Sequence, residues 1–159
     1  MKRLPIITTL IISAIFASCG GDSGKTSESD ATKQGEATDP DAYDPKRGQG
    51  KWTSELLALT DKLDESKAKS GEAVSLVKCT SCHKMTEEKL VGPGWKGVTT
   101  RRAPEWIMNF ITNPDPMLNK DPEAQAMLEL CLVRMPNQNL ADDEARNLLE
   151  FMRKNDGLK

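Results

Sequence analysis

Five consecutive residues, Cys79-Thr80-Ser81-Cys82-His83, hold the most specific chemistry of this 159-residue chain. They read C-x-x-C-H, the attachment sequence for c-type haem. Two thiols three residues apart on a helix lie on one face, where each can add to one vinyl group of a single porphyrin. His83 is four residues from Cys79 and one from Cys82, so its imidazole sits beneath the same ring and a neutral nitrogen can bind the iron. A bare C-x-x-C also serves redox dithiols and half-sites for zinc. A zinc site needs two more ligands, yet the other cysteines, Cys19 and Cys131, form no second pair and His83 is the only histidine. A thioredoxin-like site would want a βαβ pattern nearby, and none is visible.

The N-terminus points to the compartment such chemistry needs. Residues 1–18 read as an export signal: Lys2 and Arg3 are basic, and Leu4 to Phe16 is mostly apolar but short for a membrane span. Phe16-Ala17-Ser18-Cys19, followed by Gly20, resembles a bacterial lipobox, with Phe16 where Leu is usual. That reading makes Cys19 the lipidated first residue of the mature protein; an ordinary cleaved signal with an incidental Cys19 is the alternative. Haem is attached to c-type apoproteins outside the cytoplasmic membrane, so an exported, periplasmic protein anchored to a membrane by lipid is expected. Residues 19–50 then form a disordered linker, rich in Gly, Ser, Asp, Thr and Lys and too poor in apolar side chains to order itself. Some 30 flexible residues reach roughly 30 Å.

Residues 51–159 remain as one domain, and its elements must position the motif. The pattern is helical, with no strand alternation and no repeat. The spacing predicts a helix within Trp52 to Lys69 and a second from near Gly71 into the haem motif. A third runs from Pro104 to Thr112, with Pro in its first turn. Pro114, Pro116 and Pro122 break the chain before a fourth, Glu123 to Val133. The last runs from about Leu140 to Lys154, with Asn139 as N-cap and Leu148, Leu149, Phe151 and Met152 buried. Aromatics are few, so a covalently held macrocycle would supply missing core bulk.

Three separated elements, in order, resemble the class I cytochromes c: Gly71 to His83, Val91-Gly-Pro-Gly-Trp-Lys-Gly-Val98, and Arg134-Met-Pro-Asn137 ahead of a terminal helix. The resemblance covers about residues 70–155 and implies an all-α fold of four to five helices around one haem c and its iron. It implies thioether bonds at Cys79 and Cys82, His83 as proximal ligand and Met135 as sixth ligand. It also implies that the Pro93 carbonyl accepts the other His83 nitrogen and that Trp95 packs near a haem edge. The first and last helices would cross; Ser75 stands where the family has an aromatic, which implies a looser contact there or filling from residues 51–69. Met117, placed in a loop, is the rival to Met135. Met85 lies too close to His83 to reach the opposite face, and Met108, Met127 and Met152 fall inside expected helices.

His/Met ligation implies an electron carrier, because two strong axial ligands leave no open position on the iron and thioether sulfur favours the ferrous state. Pro104-Glu-Trp-Ile and the run Asn113 to Pro122 resemble small lipoprotein cytochromes that feed periplasmic reductases. The implied partners are redox proteins, such as a periplasmic nitrous-oxide reductase and a membrane quinol-oxidising complex. Residues 78–102 carry a balance of +4 and residues 103–159 a balance of −4, so a basic ring could steer acidic partners, or the clustering is a solvated surface. Nothing points to nucleic acid. Cys131 is expected to be a buried thiol. The competing reading is a haem enzyme or gas sensor with an open or labile sixth position, for which Arg134 is the obvious polar group; a thiol or metal module without haem is the third.

Overall fold

Short polar side chains and prolines set the helix starts in this chain. The computed structural model describes residues 43–159; the export signal, Cys19 and the linker as far as residue 42 lie outside the described residues. Thr53 accepts the Leu56 amide and opens a single turn, α1 (Ser54–Leu57), which Ala58 ends in the left-handed region at φ 43°. Asp64 accepts the Lys67 amide and opens α2 (Glu65–Lys78). Gly97, at φ 76°, precedes the turn α3 (Val98–Arg101). Pro occupies the first position of α4 (Pro104–Thr112), α5 (Pro114–Lys120) and α6 (Pro122–Cys131), where its missing N–H costs no hydrogen bond. Glu144 accepts the Ala141 amide at the start of α7 (Asp142–Asn155).

The all-α expectation holds: the described residues form five helices of seven residues or more, and two single turns. Several boundaries differ. The helix expected within Trp52 to Lys69 is only α1, and α2 begins six residues before Gly71, because the Asp64 cap outweighs the glycine inside the helix. The proline-rich run Asn113 to Pro122 contains α5, since its prolines fall at starts and not in interiors. Met117 is therefore a fully buried helical residue and not a loop residue. Asn139 does not cap α7; Ala141 holds that position. Leu130 and Leu132, within the stretch expected as the fourth helix, are exposed, and Leu132 ends α6 in the left-handed region.

The core is organised on the crossing of α2 and α7. Ala68, Gly71 and Ser75 recur at helical spacing on α2 and are buried. A Cβ on Gly71 would lie 2.0 Å from the Asn147 carbonyl oxygen, so the two backbones approach as closely as atoms allow. The Ser75 hydroxyl turns back to the Glu72 carbonyl at 2.7 Å. The crossing is thus tight at Gly71, and Ser75 one turn on is itself buried. On α7, Ala145, Leu148, Leu149 and Met152 face the core, and Phe151 meets Trp95 edge to face with centroids 6.5 Å apart.

Residues 43–50, assigned to the linker on composition, pack on the domain. Asn109 of α4 accepts the Trp52 amide at 2.8 Å and donates to the Arg47 and Trp52 carbonyls at 3.0 and 3.1 Å. The Gln49 amide points at the Met117 sulfur, 2.9 Å away, and a Cβ on Gly48 would come 2.5 Å from the Met117 methyl. Tyr43 donates to Asp121. A segment without large aliphatic residues is ordered here by buried polar side chains from α4 to α6, which composition does not display.

Candidate functional site: a haem cavity

The C-x-x-C-H motif lies just after α2, in turns and not within the helix. Cys79 is the C-cap, and its carbonyl accepts the amides of Cys82 and His83 at 3.0 and 2.9 Å. These bonds wind one further helical turn, which brings Cys82 and His83 together as the spacing requires. Cys79, Cys82 and Cys131 are all free thiols. Burial pushes the Cys79 thiol up to about 11, with Lys78 pulling weakly the other way.

His83 is fixed by the segment Val91 to Trp95. Its Nδ1 lies 2.8 Å from the Pro93 carbonyl, which can only accept, so Nδ1 carries the proton and Nε2 keeps a free lone pair. Burial lowers the imidazole pKa from its ordinary value, and the Pro93 bond opposes this only in part. A neutral ring results, the form a metal needs. A Cβ on Gly92 would lie 2.4 Å from the imidazole Cε1, so only glycine lets this loop pass against the ring. The Gly92 and Val91 amides both donate to the Cys82 carbonyl, at 2.9 and 3.2 Å, tying loop to motif. Trp95 is buried, with its ring centroid 5.6 Å from that of His83.

Cys82, His83, Pro93, Trp95 and Met135 line one cavity, of about 1080 Å³ counting the space at its mouth. Cys79 is buried one turn away and is not among the lining residues. The far wall is built from Trp106, Ile107 and Phe110 of α4, Leu118 of α5 and Ala124, Met127 and Leu128 of α6. Trp106 and Phe110 stack at 5.1 Å, and the Arg102 guanidinium lies 4.9 Å from the Trp106 ring centre. The residues present fit a covalently held haem: two unpaired thiols, an imidazole with one free nitrogen, a thioether on the same cavity, and apolar walls.

Met135 sits in the stretch between α6 and α7, held on both sides. Arg134 donates to Asp115 at 2.9 Å and Asn119 at 3.1 Å, both on α5. Downstream, Lys78 reaches the Gln138 carbonyl at 3.5 Å and Glu144 at 3.1 Å. Met117, by contrast, is turned to Gln49 and does not line the cavity. Met108 is buried in the core, whereas Met127 of α6 and the buried Met152 of α7 line the cavity together with Met135. Cys131 is half-buried and lines the cavity.

Three of the six basic side chains between 78 and 102 are paired with carboxylates: Lys78 with Glu144, Lys84 with Glu88, and Arg102 with Glu123. Lys89, Lys96 and Arg101 bond carbonyl oxygens, with no carboxylate partner among the described residues. Lys89 reaches the Leu130 carbonyl at 2.9 Å and ties its loop to the last turn of α6. Leu90 and Val91 in that loop and Leu132 and Val133 just after α6 are exposed, and Val91 and Val133 also line the cavity.

The wall residues Trp106 and Phe110 and their supports Asn109 and Asp121 were missed as site residues. Aromatics at helical spacing mark only a buried side, and the fold turns these two to a shared cavity. The one local sign was Asp121-Pro122, a cap followed by a first-turn proline.

The family model described as Cytochrome c matches residues 68–156. The cytochrome c from Rhodothermus marinus is similar, at 30% identity and TM-score 0.63, over 70% of this chain and 92% of that one. An engineered cytochrome c from Rhodothermus marinus, Rma TDE, is similar at 30% identity and TM-score 0.63, over 71% and 98%. The same engineered protein bound to a carbene intermediate gives 30% identity and TM-score 0.61, over 71% and 98%. No curated protein sequence matches.

Proposed function

The chain belongs to the cytochrome c family, its cofactor is haem c with its iron, and on that premise we propose that it carries single electrons with the iron held between His83 and Met135. Haem c supplies a one-electron iron couple when bound. Cys79 and Cys82 hold it through thioethers. The observation that supports this reading is the 2.8 Å contact of His83 Nδ1 with the Pro93 carbonyl, which leaves Nε2 free to bind a metal, while Met135 lines the same cavity. Trp95, Trp106 and Phe110 give the cavity aromatic, apolar walls. The exposed apolar rim at Leu90, Val91, Leu132 and Val133 offers a partner close approach, with Lys89 and Arg101 charged beside it.

The carrier reading extends to location and partners. The basic and apolar run ahead of Cys19 supports export and lipid anchoring on the periplasmic side. The partners proposed are redox proteins: a membrane quinol-oxidising complex as donor and a periplasmic reductase, such as nitrous-oxide reductase, as acceptor. A Cys19→Ser variant moves the protein from the membrane fraction to the soluble one if the anchor is right.

The haem enzyme or gas sensor reading depended on Arg134 as a polar group over the iron. Its guanidinium is engaged by Asp115 and Asn119 on α5. The deciding experiment is a reduced-minus-oxidised spectrum of the exported protein beside Met135→Ala. A low-spin c-type spectrum with a near-infrared sulfur-to-iron band, lost in the variant, establishes the ligand pair. A high-spin wild-type spectrum that changes with carbon monoxide or nitric oxide overturns it.

A further inference from the structure

Asp121 is fully buried and lies outside the ligand set, yet three segments meet on its carboxylate and a fourth on its backbone amide. One oxygen accepts the Ala124 amide at 2.7 Å and starts α6. The other accepts the indole N–H of Trp106 on α4 at 2.9 Å, and also the hydroxyl of Tyr43. The Asp121 amide donates to the Met117 carbonyl at 2.8 Å and closes α5. Each helix so joined supplies a wall residue of the haem cavity: Trp106 from α4, Leu118 from α5, Ala124 and Met127 from α6. The indole is thereby pinned at its polar edge while its ring lines the cavity.

We infer that Asp121 is a positioning residue for the cavity wall, acting through Trp106, and that Tyr43 makes this wall depend on the N-terminal segment. A buried carboxylate left short of a donor relaxes toward the donors that remain. Loss of the Tyr43 hydroxyl therefore changes the Trp106–Asp121 bond and shifts the ring. A wall that moves alters the packing and polarity about the iron, and those properties set its potential. The inference rests on the haem carrier reading, but not on the identity of any partner.

The test uses the full-length holoprotein and four forms: wild type, Tyr43→Phe, Trp106→Phe, and the double variant. Reduction potential and the near-infrared thioether band are measured beside thermal unfolding. The expected result is a shifted potential in Tyr43→Phe, a shifted potential in Trp106→Phe, and no further shift when the two are combined. Variants that lower only the unfolding temperature, at unchanged potential and band, overturn the inference and leave Asp121 a fold-stabilising group. Equal shifts from Tyr43→Phe with and without the indole overturn the route through Trp106. A wild type without a low-spin spectrum reports failure of the carrier reading instead, and is seen before any variant is made.

Discussion

A Cβ on Gly71 would lie 2.0 Å from the Asn147 carbonyl oxygen, so the α2–α7 crossing has no room for a methyl group. Gly71→Ala gains about 1 kcal/mol of helix propensity but forces the backbones apart, a strain that costs about 1–3 kcal/mol or more. The expected outcome is a net loss of stability in denaturant unfolding. An unchanged midpoint would mean that the helices can separate freely.

Gly92→Ala would bring Cβ to 2.4 Å from the His83 Cε1. The ring must then turn and break its bond to the Pro93 carbonyl. The holoprotein is expected to show a mixed or high-spin spectrum, whereas Gly157→Ala, with nothing within 4 Å, is expected to keep the wild-type spectrum.

Asn109 makes three hydrogen bonds to residues 47 and 52. Asn109→Ala leaves buried backbone groups unpartnered, at about 1–3 kcal/mol for each such group. Stability should fall by several-fold in the folded-to-unfolded ratio at least. Limited proteolysis should cut between residues 43 and 52 in the variant before it cuts the helices.

Arg134→Ala removes an exposed ion pair with Asp115, which is worth at most about 1 kcal/mol. Unfolding should hardly change. The near-infrared thioether band is nonetheless expected to weaken, because Met135 loses its anchor to α5. A band of full strength would show that the Lys78 contacts downstream hold the loop alone.

The Tyr43 phenol is raised above its ordinary value of 10.0, first by burial and then by its hydrogen bond to Asp121. The folded state keeps this proton where the unfolded chain has lost it. The contribution is therefore complete below about pH 10 and is lost as pH rises beyond it toward the folded-state pKa. Tyr43→Phe is expected to be less stable at neutral pH and to lose stability less steeply above pH 10. Parallel curves for the two proteins would show that the phenol does not titrate with folding.

The sequence by itself determined the cofactor and the chemistry on one side of it. Cys79, Cys82 and His83 are adjacent, so one helical turn brings them together in any fold that permits the turn. Helices with a local start signal, such as Pro104–Thr112, were legible for the same reason. The cap at Asp64 and the prolines of α5 are also local signals, but glycine and proline content outweighed them in the reading. Tertiary structure alone decided the rest. Met135 was named through resemblance, but its place on the cavity depends on Arg134 meeting α5 and Lys78 meeting α7, contacts that span tens of residues. Residues 43–50 read as linker because their order comes from Asn109 and Asp121, far along the chain. The wall role of Trp106 was not legible, because hydrophobic periodicity says that a side is buried and does not say against what. A local pattern carries the chemistry of neighbours in sequence; only the folded chain decides which distant side chains share a wall.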